Sequence, residues 1–275
     1  MSEAISIGII GQGFVGNAVF QKFKKFFEIK TYDLDPNKSN SSFDEVCVCD
    51  YIFLCLPTPM NNDGSCNTSI VESVIKKIDE RNETVLIVKS TIPPGTTDYW
   101  NKIFKSKIVF NPEFLTEKNA VNDYNNQNRI IIGGDAGLIK KIKPIFSKIF
   151  PKATIILSLA KEAEMVKYLT NNFLAVKISF ANEIYHLCKF MDINFDNVIQ
   201  VAKIDNRLGN SHWRVPGHDG DLGFGGHCFP KDINAILSLC KNYGSISNVI
   251  EAAVKTNDKV RKNRDWEKMK GRAVS

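Results

Sequence analysis

The run Gly223-Phe224-Gly225-Gly226-His227-Cys228-Phe229-Pro230-Lys231-Asp232 brings one cysteine, through a glycine-rich loop, to what reads as the start of a helix. Pro230 suits a first helical turn, Asp232 stands where the helix dipole favours a carboxylate, and the apolar positions Ile233, Ala235, Ile236 and Leu237 follow. A sulfur just ahead of a helix N-terminus faces unpaired backbone N–H groups, which favour the reactive thiolate over the thiol. The glycines let another backbone or a substrate come near it. A buried, inert cysteine on a tight turn is the plainer alternative and the commoner fate of a free cysteine. The rest of the chain decides between them.

A second constellation lies near the other end. Ser6-Ile7-Gly8-Ile9-Ile10 reads as a short strand, Gly11-Gln12-Gly13-Phe14-Val15-Gly16 follows at once, and Val15, Ala18, Val19 and Phe23 carry a helical pattern. The next strand, 29–32, ends in Asp33. GxGxxG alone is a weak signal. Preceded by a strand, followed by a helix and closed by an acid about twenty residues on, it is a strong dinucleotide fingerprint. Gly11 permits the turn, Gly13 lets the backbone meet a pyrophosphate, and Gly16 lets helix pack on sheet. Asp33 suits a ribose diol and would repel a 2′-phosphate, so NAD is expected over NADP.

The elements that must hold these groups fall into two halves. Further strands are expected at 51–56, 84–89, 107–110, 129–132 and 154–157, with helices at 69–80 and 136–149, spacings that fit a parallel α/β sheet. Three of those strands end in loops of unusual composition: Leu56-Pro57-Thr58-Pro59, Lys89 through Thr96, and Asn111-Pro112-Glu113-Phe114-Leu115-Thr116-Glu117. Ligands bind beyond the carboxyl ends of strands in open α/β sheets, so nucleotide and substrate groups should gather there. From about 160 to 191 one long helical pattern carries Met165, Leu169, Phe173, Val176, Phe180, Ile184 and Leu187, a length that suits a domain junction or a subunit interface. Lys167 and Asn171, four apart, share one of its faces. Shorter helices are expected at 194–203, 232–242 and from 247 to about 270.

Composition sets the bounds. The 275 residues exceed one common domain, and 43% hydrophobic with 24% charged residues is ordinary for a globular protein. Neither a signal segment nor a membrane span is visible, and seven cysteines, an odd number, suit a reducing cytoplasm. Cys47 and Cys49 alternate in an apolar run and read as strand residues; no metal site is expected. Most of the net charge of +6 sits from Lys255 onward, where eight basic residues face three acids. This reads as a solvated helical face, with nucleic-acid binding disfavoured for want of interleaved aromatics.

Taken in order, GQGFVG, Asp33 with Lys38 beyond it, PTP, KSTIPPGTT, NPEFLTE, EMVKYLTNN, DNRLGN and GFGGHCFPKD resemble the landmarks of the UDP-glucose/GDP-mannose 6-dehydrogenase family over nearly the whole chain. The last is highly specific, and NPEFLTE is closer to the UDP-glucose and GDP-mannose branches. The resemblance implies an α/β Rossmann-type NAD-binding domain over 1–159, followed by an all-α domain built on a long central helix over 160–275. It implies a four-electron oxidation of a nucleotide sugar's primary alcohol, UDP-glucose to UDP-glucuronate, with two NAD molecules reduced in turn. Cys228 would be the nucleophile that converts the aldehyde to a thiohemiacetal and then a thioester. Lys167 and Asn171 would stabilise the oxyanion, Glu113 would serve in acid–base work, and Asp232 and Thr91 would position water.

By the same resemblance Gly11, Gly13, Phe14, Val15, Gly16, Asp33 and Lys38 would hold the adenosine and pyrophosphate part of NAD. Pro57, Thr58, Thr91 and Glu117 would flank the nicotinamide. Glu113, Phe114, Leu115, Lys167, Asn171, Arg207, Phe224 and Gly225 would meet the sugar nucleotide, Arg207 across a homodimer interface. The family ordinarily continues into a third, nucleotide-closing domain, which this chain is expected to lack. The basic stretch at Lys259, Arg261 and Lys262 would then be a substitute attractor for phosphate. Two rival readings are a two-electron β-hydroxyacid-type dehydrogenase, which uses a lysine and an asparagine but no cysteine, and a non-catalytic NAD-binding or assembly subunit.

Overall fold

The computed structural model describes residues 5–275. Residue contacts divide it into two units, one made of the chain up to Thr58 together with Thr68–Lys167, the other of Pro59–Asn67 with Tyr168–Ser275. The excursion after residue 58 therefore belongs with the later half of the chain.

Among the described residues the first unit is built on seven strands: β1 (Ile7–Ile10), β2 (Ile29–Tyr32), β3 (Tyr51–Leu54), β4 (Val85–Val88), β5 (Lys107–Phe110), β6 (Arg129–Gly133) and β7 (Thr154–Ser158). They lie in the order β2-β1-β3-β4-β5-β6-β7. The order reverses between β1 and β3, which opens the crevice where doubly wound folds bind nucleotides. Because successive strand residues face opposite ways, the two sides of the sheet form separate cores. Ile7, Ile9, Phe53, Ile87, Val109, Ile130 and Ile132 enter one core, and Ile10, Ile52, Leu54, Leu86, Val88, Ile108, Phe110 and Ile131 the other. The helices of this unit are α1 (Phe14–Phe23), α2 (Phe43–Cys47), α3 (Ser69–Asp79), α4 (Thr96–Ile103), α5 (Ala120–Asn125), α6 (Ala136–Ile149) and the opening turns of α7 (Ala160–Phe190).

One junction departs from the expected parallel sheet. β6 meets β5 antiparallel, through the single pair Phe110 and Gly133, while β6 and β7 are parallel. The link into β6 holds a 3₁₀ turn and α5, which is six residues long and packed on α1, where a parallel neighbour needs a full crossover. Cys47 and Cys49 also correct the reading from sequence. Cys47 closes α2, whose Ser42 and Glu45 form a capping box, and both sulfurs are buried ahead of β3.

The second unit holds the remainder of α7, then α8 (Phe195–Ala202), α9 (Phe229–Tyr243) and α10 (Asn248–Val260). Its apolar cores are three small clusters around Ala175 and Phe224, Ala181 and Phe195, and Tyr168 and Ile236. The side of α7 turned inward carries small and polar residues, Ala175, Lys177, Ser179, Ala181 and Asn182, whereas Met165, Leu169, Phe173, Phe180 and Leu187 are exposed. α10 stops at Val260, about ten residues short of expectation, because Arg261 turns out of the helix into extended backbone. Among the described residues no helix is long and apolar enough to cross a membrane.

Candidate active site

The glycine turn after β1 has the geometry its spacing implies. Gly11 adopts φ +89°, and a Cβ on it would overlap the Cys55 carbonyl. A Cβ on Gly16 would overlap the Gly11 carbonyl oxygen, so α1 can lie against the turn only without one. Gly13, the N-cap of α1, has nothing within 4 Å of a Cβ position and receives no side-chain cap. The open N-terminus of α1 thus presents backbone N–H groups suited to a phosphate. Asp33 is fixed beside it, its Oδ2 accepting from the Gln12 N–H at 2.6 Å and its Oδ1 from the Asp35 N–H at 2.9 Å. Each oxygen keeps a lone pair for a ribose hydroxyl. The Gln12 side-chain amide nitrogen is buried with no hydrogen-bond partner. These residues fit a dinucleotide. Phe14 and Val15 are the first two residues of α1, and Lys38, paired with Asp35 at 3.3 Å, is exposed beyond the β2 end.

The loops after β3, β4 and β5 are laced together. Thr58 Oγ1 donates to the Thr91 carbonyl at 2.8 Å, and Ser90 Oγ donates to the Leu56 carbonyl at 2.7 Å while accepting its N–H at 3.0 Å. Pro57 remains exposed next to this lacing. Glu113, after β5, receives Lys167 Nζ on Oε1 at 2.9 Å and on its carbonyl at 2.6 Å, and its Oε2 accepts the Leu115 N–H at 2.7 Å. Burial pushes the Glu113 pKa up, but the Lys167 charge and the Leu115 N–H outweigh it and hold the carboxyl below its ordinary value. Glu113 is therefore an acceptor at neutral pH. The Phe114 ring lies under two cations, Arg129 at 4.9 Å and Lys167 at 5.5 Å. Glu117 stands exposed in a short 3₁₀ turn.

Two groups of this unit were missed from sequence. Lys89, just past β4, is buried, its Nζ donating to Asn111 Oδ1 at 2.8 Å and to the Asn111 carbonyl at 3.1 Å. Burial lowers its pKa to about 8, with Cys55 and Glu113 opposing. A lysine closing an all-apolar strand was the available signal, since a buried ammonium must find acceptors. Glu164, on the first turns of α7, takes the Gly95 N–H at 2.5 Å and the Thr97 N–H at 2.9 Å and so caps α4.

In the second unit Cys228 is the N-cap of α9 with Pro230 in the first turn, so the helix begins three residues earlier than expected. Asp232, one turn along, is buried and has a donor on each oxygen: Lys231 Nζ on Oδ1 at 2.5 Å and Asn171 Nδ2 on Oδ2 at 2.6 Å. Burial alone would lower the Lys231 pKa, yet its neighbours, Asp232 first and then Cys66 and Cys228, raise it, and the lysine stands in the first turn of α9, just past Cys228. A cation there favours thiolate. Lys231 carried no role in the sequence reading. Phe224 is buried on the loop ahead of the cysteine, with Gly225 half-buried beside it. Arg207 is not gathered in: its side chain is 88% exposed and pairs with Asp205, the N-cap of its 3₁₀ turn. Arg261, expected as a solvent-facing phosphate attractor, is corrected outright, because its side chain is 1% exposed and paired with Asp219 at 2.7 Å. On α7, Lys167 and Asn171 are one turn apart and both buried.

Comparison with known proteins places this arrangement. Residues 37–150 match the NAD binding domain of the UDP-glucose/GDP-mannose dehydrogenase family, and residues 161–259 match the central domain of the same family. The UDP-glucose 6-dehydrogenase TuaD of Bacillus subtilis is 34% identical over 226 residues, which is 77% of this chain and 47% of that protein. A UDP-glucose dehydrogenase from Pyrobaculum islandicum superposes with a TM-score of 0.83 at 27% identity, covering 94% of this chain and 69% of its own. The 3-hydroxyisobutyrate dehydrogenase of Mycobacterium tuberculosis, at 17% identity, shares the fold alone, with a TM-score of 0.74 over 93% of both chains. The chain spans about half the length of the curated relatives it matches. Two adjoining domain matches to one family, on a fold with a nucleotide turn and a cysteine at a helix start, lead to one assignment: the chain belongs to the UDP-glucose/GDP-mannose dehydrogenase family.

Proposed function

We propose that this protein oxidises the C6 alcohol of a nucleotide sugar to a carboxylate, with UDP-glucose as the substrate and UDP-glucuronate as the product. The first turn of α9 carries the reading. There Cys228 is the N-cap residue, and Asp232, one turn along, is bonded to both Lys231 and Asn171. A β-hydroxyacid dehydrogenase shares the fold but has no use for a thiolate, since it transfers only one hydride.

Bound NAD would accept a hydride in each of two successive oxidations. The chain's own groups do the rest. Cys228 sulfur adds to the aldehyde carbon formed in the first oxidation, giving a thiohemiacetal whose C–H bond is broken in the second. Lys167 and Asn171, one turn apart on α7, donate to the oxygen as it gains negative charge. The resulting thioester is cleaved by water, which supplies the second carboxylate oxygen and returns the thiol. Asp232, its carboxylate fixed by two donors, orients that water, and the ionised Glu113 accepts a proton. Binding of NAD falls to the turn at Gly11, Gly13 and Gly16 with Asp33.

A homodimer belongs to the same reading. Leu169 and Phe173, 65% and 63% exposed on consecutive turns of α7, are large apolar side chains that a second copy of the helix would cover.

The test is stoichiometric. Purified protein with NAD and UDP-glucose is expected to form two NADH per UDP-glucuronate, and Cys228→Ser is expected to stop acid formation while NAD still binds. One NADH per sugar, or acid formed by Cys228→Ser at the parental rate, would sink the proposal.

A further inference from the structure

Three side chains of α10 and the segment after it, without a role in the chemistry above, close on the loop ahead of Cys228. Asn257, in α10 and 3% exposed, uses its amide as a neighbouring strand would: Oδ1 accepts the Phe224 N–H at 2.7 Å and Nδ2 donates to the Phe224 carbonyl at 3.0 Å. Two residues on, the Gly226 N–H is shared by both oxygens of Asp265, each at 3.1 Å. Asp265 is held in turn by the buried guanidinium of Arg261 at 3.3 Å, which also meets Asp219 at 2.7 Å and Asp221 at 3.6 Å. Asp221 takes the Lys262 and Asn263 N–H groups at 3.2 and 2.7 Å. The stretch 219–226 is thus tied to the segment after α10 at both ends.

The glycines fit this arrangement. A Cβ on Gly223 would overlap Asn257 Oδ1, and a Cβ on Gly225 would overlap the Arg261 guanidinium and crowd Asp265. Their bareness lets the tie approach the backbone, where the sequence alone pointed to access for substrate. Glycine has the most backbone freedom to lose, so a loop this rich in it stays in one place only if something outside it holds it there. We propose that Asn257, Arg261 and Asp265 are positioning residues that clamp residues 223–226 and so deliver Cys228 to the start of α9 in a single geometry. The proposal rests on the reading of Cys228 as the nucleophile, and its test separates the two.

The test uses the whole chain carrying Asp265→Ala, Asn257→Ala and, as the conservative variant, Asp265→Asn. Hydrogen exchange followed by mass spectrometry reads residues 223–228, iodoacetamide labelling with peptide mapping reads Cys228, and NADH formation reads turnover. In both alanine variants exchange across the loop is expected to speed up about tenfold or more. With it kcat should fall about tenfold or more while KM for NAD stays unchanged, because misplacing a reacting atom costs rate and not cofactor binding. Asp265→Asn keeps an acceptor for the Gly226 N–H and should recover most of the loss. Should Asn257→Ala fail to fold, Asp265, 29% exposed, carries the test. Unchanged loop exchange in Asp265→Ala, or faster exchange with undiminished kcat, overturns the clamp. If the parent forms no NADH, the proposed function has failed and labelling decides: about fivefold faster modification of Cys228 in Asp265→Ala, as expected of a released loop, supports the clamp, and less than about twofold overturns it.

Discussion

Lys167→Met should destabilise the sheet-bearing unit by an amount that depends on pH. Lys167 donates to Glu113 Oε1 at 2.9 Å and to its carbonyl at 2.6 Å, with the two side chains 4% and 7% exposed. Methionine keeps the bulk of the stem and removes the cation, which leaves a buried carboxylate with the Leu115 N–H at 2.7 Å. Breaking a buried pair from one side costs about 3–5 kcal/mol, because the remaining charge is uncompensated. Lys89 also acts on Glu113, which puts the expectation near the low end, about 3 kcal/mol. At about 2–4 °C per kcal/mol, Tm at pH 7 should fall by about 6–12 °C.

The pH dependence follows from the sign of the shift. In the parent the folded pKa of Glu113 lies below its ordinary 4.5, so its stabilisation is present above that value and is lost as pH falls through the lower folded one. In Lys167→Met the opposing charge is gone and burial raises the pKa, so stability is retained below the ordinary value and lost as pH rises through the raised one. The gap between the two proteins should be widest at pH 7 and narrow toward pH 4. Thermal melts by circular dichroism at several pH values read this directly, and adding Glu113→Gln should restore much of the loss. A gap below about 1 kcal/mol at pH 7, or one constant down to pH 4, would refute the reasoning.

Two glycines of the nucleotide turn should respond oppositely to alanine. Gly13→Ala meets nothing within 4 Å and should melt with the parent while NAD affinity drops about tenfold or more, whereas Gly16→Ala should lower Tm because its Cβ collides with the Gly11 carbonyl. Calorimetry with NAD decides, and parental affinity in Gly13→Ala would remove the cradle. Leu169→Glu combined with Phe173→Glu should halve the sedimenting mass of the protein, and a parent that already sediments as one chain would remove the homodimer.

Much of this protein was written locally. The β1 strand, the glycine turn, α1 and the acid ending β2 follow each other within a few tens of residues, and each is dictated by sterics or period at its own position. The same holds for α7, whose three-and-four spacing runs its whole length, and for Cys228 at the start of α9, announced by Pro230 and Asp232. Period alone could not say that Leu169, Phe173, Phe180 and Leu187 of α7 lie outward while Lys167, Lys177, Asn171 and Asn182 lie inward. What tertiary structure decided is pairing across distance. Glu113 and Lys167 are 54 residues apart, and Asp265 reaches back 39 residues to Gly226. Arg261 looked like one more charge on a solvated tail until three aspartates from two segments surrounded it. A buried charge or a bare glycine acquires its meaning from the partner the fold brings to it, and that partner leaves no mark on the residues next to it in sequence.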